Sequence, residues 1–176
     1  MYKAAVLVLL SVGLAMAQSP KYKVGNAATA GDIAQRDHFV SPDGKGLPAG
    51  TGTASEGKLV YDRRCATCHG AEGKGKEEVA LVGGQGTLAT PKPLKTVGSY
   101  WPYSTTLFDY IRRAMPYVAP QSLTPDEIYS VSAYILFLNG VIGETDEMNA
   151  TTLPRVKMPN RDNFVSAYTE PKHPIR

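Results

Sequence analysis

Apolar and polar residues are spaced unevenly along this chain, and the spacing divides it into a short apolar leader, an irregular arm, a helical core and a second irregular arm. Helical periodicity is confined to residues 53–140. Thr53-Ala54-Ser55-Glu56 reads as a capping box, in which the threonine hydroxyl and the glutamate carboxylate accept from backbone N–H groups that a first helical turn leaves free. Gly57 and Tyr61 then stand one turn apart on one face of a helix that runs into Cys65. A second helix is predicted over Ser104–Ala114, with Leu107, Phe108 and Ile111 on one face and Pro116 barring its extension. A third opens at Thr124-Pro125-Asp126-Glu127, another capping box with proline at the first helical position. Its buried stripe is Ile128, Val131, Tyr134, Ile135 and Leu138, and Asn139-Gly140 ends it. The predicted class is all-α.

The arms lack such periodicity. Residues 18–52 contain the turn formers Val24-Gly25-Asn26, Ser41-Pro42-Asp43-Gly44 and Gly46-Leu47-Pro48, and Ala30–Gln35 supports at most one helical turn. Residues 141–176 carry Pro154, Pro159, Pro171 and Pro174. Both arms nevertheless hold apolar side chains (Phe39, Val40, Leu153, Val156, Phe164, Tyr168), more than a disordered tail usually does, so they are expected to pack on the core or on a partner. Before them, Lys3, the apolar run Ala4–Leu10 and Ala15-Met16-Ala17 form the charged, apolar and cleavage regions of a secretory signal peptide, residues 1–17, with Gln18 as the first mature residue. The run is shorter than the roughly 20 residues that span a bilayer. An exported, periplasmic protein with no membrane span after cleavage is the expectation.

Composition narrows the function. The chain of 176 residues, less its leader, suffices for one domain with a real core. A formal net charge of +3, without a Lys/Arg run or a phosphate-cradling glycine loop, gives no basis for nucleic-acid binding. There are 2 cysteines, and both fall in Cys65-Ala66-Thr67-Cys68-His69. This is C-x-x-C-H, the attachment signature of a c-type haem. Thiols three positions apart on a helical turn can each add to one haem vinyl group, and the adjacent histidine can supply the fifth iron ligand as neutral imidazole. One motif implies one covalent haem. A zinc site would need about four ligands, and no further cysteine exists, while His38 and His173 are distant in sequence. A thioredoxin-like motif would need a βαβ context that the pattern does not show.

The order of these parts resembles class I cytochrome c over residues 53–140. The resemblance implies that the first helix carries the haem motif and crosses the last, with a glycine approaching an aromatic side chain; Gly57 and Tyr134 match, with Tyr61 beside them. It also implies a methionine on the far side of the haem. Met115 follows the second helix and precedes the last, and a thioether there would favour ferrous haem. Met148 and Met158 are rivals beyond the last helix, and His38 is an outside candidate. Trp101, Tyr103 and Gln85 stand where loop residues donate to haem propionates, with ordinary packing as the alternative. Arg112 and Arg113 are candidates for propionate neutralisation or docking.

A narrower resemblance covers most of the mature chain. Gly83–Leu88, Lys95–Tyr103, Thr106–Pro116, Asp43–Pro48 and Arg155–Asp162 are similar to the cytochrome subunit of bacterial sulfane and sulfite dehydrogenases of the Sox sulfur-oxidation family. Some members of that group carry a second haem domain, for which this chain has neither room nor cysteines. The resemblance implies an electron-transfer role without substrate chemistry of its own. The partner would be a molybdopterin-containing dehydrogenase subunit, and the recipient a downstream cytochrome c or terminal oxidase. A free-standing soluble electron shuttle is the alternative. The length of the two arms favours the subunit, because a shuttle needs little beyond the haem core and a small docking face. A peroxidase or gas sensor would need an open sixth position, which Met115 opposes.

Overall fold

The computed structural model describes residues 24–165. The leader 1–17 lies outside the described residues, as do Tyr168, Pro171, His173 and Pro174. The chain divides into two units at Arg36.

In the first unit, helix α1 spans Ala30–Arg36, longer than the single turn expected. Thr29 and Asp32 explain its start. The Thr29 hydroxyl accepts from the Asp32 N–H at 3.1 Å, and the Asp32 carboxylate accepts from the Thr29 N–H at 2.9 Å. All of its side chains are exposed.

The second unit holds the helical core. Helix α2 (Ala54–Arg64) begins with the predicted capping box, and a single turn, α3 (Ala66–His69), follows it. Helix α4 spans Ser104–Ala114 and α5 spans Pro125–Leu138, again with a complete capping box. Asn139 and then Gly140, at φ 68°, close α5, a left-handed position that glycine takes without strain.

The crossing of α2 over α5 organises the rest. A Cβ on Gly57 would collide with the Ser130 carbonyl and come within 2.8 Å of the Tyr134 Cβ. Backbone therefore lies against backbone here, and only glycine permits it. One turn on, the Tyr61 and Tyr134 rings meet with centroids 5.3 Å apart. On the other side of α5, Phe108 of α4 lies 4.5 Å from Tyr129. The buried face of α5 is wider than the predicted stripe, since Tyr129, Ser130, Ser132, Ala133 and Leu136 are buried as well, while Leu138 is only half-buried. Helices and arms together surround it.

Within the second unit, parts of both arms pack inward. In the N-terminal arm Val40 is buried, and its N–H donates to the Asp109 carboxylate at 2.9 Å. The Tyr129 hydroxyl donates to the Pro48 carbonyl at 2.9 Å. Beyond α5, Met148, Leu153 and Met158 are all core residues. The arms also meet each other, because β1 (Thr51–Gly52) pairs antiparallel with β2 (Met148–Asn149) in a two-residue ladder that the helix-only pattern did not foresee. Gly52 lies directly against Ser130, so the ladder seats on α5.

Gly57→Ala tests the crossing. It forces α2 and α5 apart and should cost about 3 kcal/mol or more, at the upper end of overpacking effects, measured as a lower denaturant midpoint at unchanged slope.

Candidate functional site

The C-x-x-C-H motif is shaped by the end of α2. The Cys65 N–H caps that helix on the Tyr61 carbonyl at 2.8 Å. The Cys65 carbonyl then accepts from Cys68 at 3.2 Å and His69 at 3.0 Å, closing one tight turn. The two cysteines lie three positions apart on that turn, Cys65 half-buried and Cys68 exposed. His69 ends the turn.

A glycine-rich loop folds back over it. Gly70, Gly73 and Gly75 all take positive φ, which lets the chain reverse within a few residues. The Gly75 N–H returns to the His69 carbonyl at 2.9 Å, and the Glu78 N–H to the Cys68 carbonyl at 3.0 Å. The Tyr61 hydroxyl holds the start of the loop by donating to the Gly70 carbonyl at 2.9 Å. Burial pushes that phenol well above its ordinary pKa, so it remains a donor.

The loop thereby brings the Val79 carbonyl to 3.1 Å from His69 Nδ1. A carbonyl only accepts, so Nδ1 carries a proton, and in the neutral ring this leaves Nε2 with the free lone pair. That is the tautomer a metal ligand needs, with its second ring nitrogen oriented by a backbone acceptor. Val79 was not foreseen. The contribution is a main-chain oxygen, which no side-chain pattern announces.

This donor set suits a covalent haem better than zinc. Burial pushes the Cys65 thiol up to about 11, which disfavours thiolate coordination. Among the described residues no group of three or more His, Cys, Asp or Glu is arranged to hold a metal ion. Two thiols on one turn followed by an oriented imidazole fit a haem c.

Asn139 was read only as a helix stop, but it ties the loops together. Its Nδ2 donates to the carbonyls of Leu81 at 3.2 Å and Ile135 at 2.9 Å, and its Oδ1 accepts from the Gly83 N–H at 3.1 Å. Gly98 lies so close that a Cβ would strike the Asn139 side chain.

The remaining candidates divide. Trp101 is half-buried and meets Tyr110 edge-on at 5.9 Å. Tyr103, also half-buried, lies under the Arg161 guanidinium. Gln85 is exposed and its Nε2 donates to the Asn139 carbonyl at 3.1 Å, so its visible work is to secure the loop. Met115 follows α4, half-buried, its N–H capping the helix on Ile111 at 3.0 Å. Met148 and Met158 are buried to 4% and 1%, filling the core as an apolar side chain would. Arg113 pairs with Asp109 while staying about half exposed, and Arg112 reaches the carbonyls of His38 at 3.4 Å and Gly46 at 3.1 Å. In this structure both secure α4 and the N-terminal arm. Among the described residues, no helix is long and apolar enough to cross a membrane.

The cytochrome c family profile matches residues 54–139, the span from α2 to the end of α5. Among solved structures, the chain is similar to the crystal structure of the sulfane dehydrogenase SoxCD from Paracoccus pantotrophus. The two are 36% identical, the match covers 82% of this chain and 72% of that one, and the TM-score is 0.77. No curated protein sequence gives a significant match.

Asn139→Ala should strand the Leu81 carbonyl and the Gly83 N–H at once. A loss of about 2–3 kcal/mol in unfolding free energy is expected, read by urea titration.

Proposed function

This chain belongs to the class I cytochromes c, with one covalent haem c, and from that premise we propose that it accepts electrons from a molybdenum-cofactor sulfite or sulfane dehydrogenase subunit in the periplasm. It would pass them to a downstream cytochrome or terminal oxidase. The observation that carries this reading is the extent of the likeness to SoxCD. The match covers 82% of the chain, whereas the family profile covers only residues 54–139, so the similarity includes parts of the arms. A general electron carrier would share the helical core alone.

In this reading Cys65 and Cys68 would hold the haem covalently, and His69 and Met115 would bind its iron. The haem supplies reversible one-electron chemistry, so a two-electron oxidation on the partner would be relayed in single steps. The chain's own residues set the conditions. Val79 orients His69 and fixes its tautomer. The Met115 thioether favours the ferrous state. The buried crossing of α2 and α5 keeps the haem-bearing turn in place during electron exchange.

Of the two destinations expected for the apolar side chains of the C-terminal arm, core or partner, the structure shows the first for several. Leu153, Met158 and Asn160 are buried in this protein's own body, so an interface can use only the outer face of Leu153–Phe164. Removing residues 141–176 would open the core rather than detach a docking arm. This inward packing is the observation that favours the free-shuttle alternative.

Met115→Ala should leave the haem attached by mass, abolish the weak red band of ferric iron–sulfur ligation, and lower the reduction potential. If that band instead vanishes in a Met148 or Met158 variant, the ligand assignment is wrong.

The holoprotein mixed with its molybdenum subunit should elute as one complex, and substrate should reduce its haem within that complex. Migration as a lone monomer, with no reduction by any molybdenum protein, selects the shuttle.

A further inference from the structure

The stretch Met158-Pro159-Asn160-Arg161-Asp162 is distinctive in the sequence, yet it takes no part in attaching the haem or in the helix crossing. The structure sets it against the loop Ser99–Tyr103. Met158, 1% exposed, roots the stretch in the core. Asn160 is buried, only 8% exposed, and its Nδ2 donates to the Tyr100 carbonyl at 2.9 Å. The Arg161 guanidinium lies 5.1 Å from the centroid of the Tyr103 ring, within cation–π range. The Phe164 ring meets Tyr100 edge-on at 5.4 Å. Just past the loop, the Ser104 hydroxyl donates to the Leu153 carbonyl at 2.6 Å. Contacts on both sides of Trp101 thus come from one distant segment, and they are of different kinds: a hydrogen bond to backbone, a cation over a ring, and an aromatic edge.

We propose that Met158–Phe164 is a positioning strap for the loop Ser99–Tyr103, through which Asn160 and Arg161 set the placement of Trp101 and Tyr103 beside the haem. The proposal rests on the reading of those two aromatics as haem neighbours. Asn160 fixes the backbone from which Trp101 projects. Arg161 does two things. Its stacking restrains the Tyr103 ring, and its positive charge opposes the extra positive charge of ferric haem, which favours the reduced state. Because Arg161 is exposed, that second effect should weaken as salt is added.

The test uses the full-length holoprotein. Trp101 is the sole tryptophan, so its emission, quenched when a haem is near, reports its placement directly. Asn160→Ala should raise Trp101 emission severalfold and speed amide exchange in residues 99–103, with exchange in α2 and α5 unchanged. Arg161→Gln should lower the midpoint potential, by less at high salt, and Arg161→Lys should restore it. Asp162→Asn, on the same strap but paired with exposed Lys157 at 3.6 Å, should leave Trp101 emission and the exchange of residues 99–103 unchanged. The proposal is overturned if the Asn160 and Arg161 variants keep wild-type emission, exchange and potential and differ only in thermal midpoint, which would make the strap ordinary packing. If Asn160→Ala does not fold, the exposed Arg161 variants decide alone. Unquenched Trp101 in the wild-type holoprotein overturns its placement at the haem. Neither readout involves a partner protein, so failure here is distinct from failure of the electron-acceptor reading.

Discussion

The helical unit is arranged around the absence of a side chain at Gly57. Where α2 crosses α5, the α2 backbone touches the Ser130 carbonyl, and the two helices come closer than any Cβ would allow. That proximity brings the Tyr61 and Tyr134 rings together at a tilt and fixes the direction in which α2 ends. The end of α2 is the start of the C-x-x-C-H turn. The placement of both thiols and of His69 therefore follows from a contact made two turns earlier. Gly52 repeats the device on the same residue of α5, where it seats the ladder between the arms.

Around that crossing the protein uses backbone carbonyls where a side-chain constellation would be expected. Val79 orients His69, Gly70 receives Tyr61, and Leu81 and Ile135 receive Asn139. The loops that surround the motif lack regular hydrogen-bonded structure of their own. Each carbonyl that a helix or sheet would have satisfied is available to hold a functional side chain, and each such bond also removes an unpaired polar group. Stabilising the loop and orienting the site are here the same interactions.

This explains what the sequence disclosed and what it hid. The helices were legible because their signals are local: two capping boxes, a proline at each relevant boundary, and apolar residues one turn apart. The haem motif was legible because its chemistry fixes both residue type and spacing. Val79 was invisible because any residue supplies a carbonyl, and Asn139 was seen only as a terminator because its other partners lie more than fifty positions away. The work of Arg112 was hidden for a related reason, since the carbonyls it reaches are placed only once the N-terminal arm has folded back. The arms showed their apolar content but not its destination, and an inward destination weakens the idea that they exist to grip a partner.

The ladder between Gly52 and Met148 has a consequence for the order in which the chain takes shape. It joins segments on opposite sides of the whole helical core. Closing so long a loop carries an entropic cost that is recovered only when both strands are present, so pairings of this kind form late. The C-x-x-C-H turn, by contrast, closes on hydrogen bonds among Tyr61, Cys65, Cys68 and His69, a few positions apart. The body is thus tied shut by its most distant segments, while the attachment turn is shaped by its nearest ones.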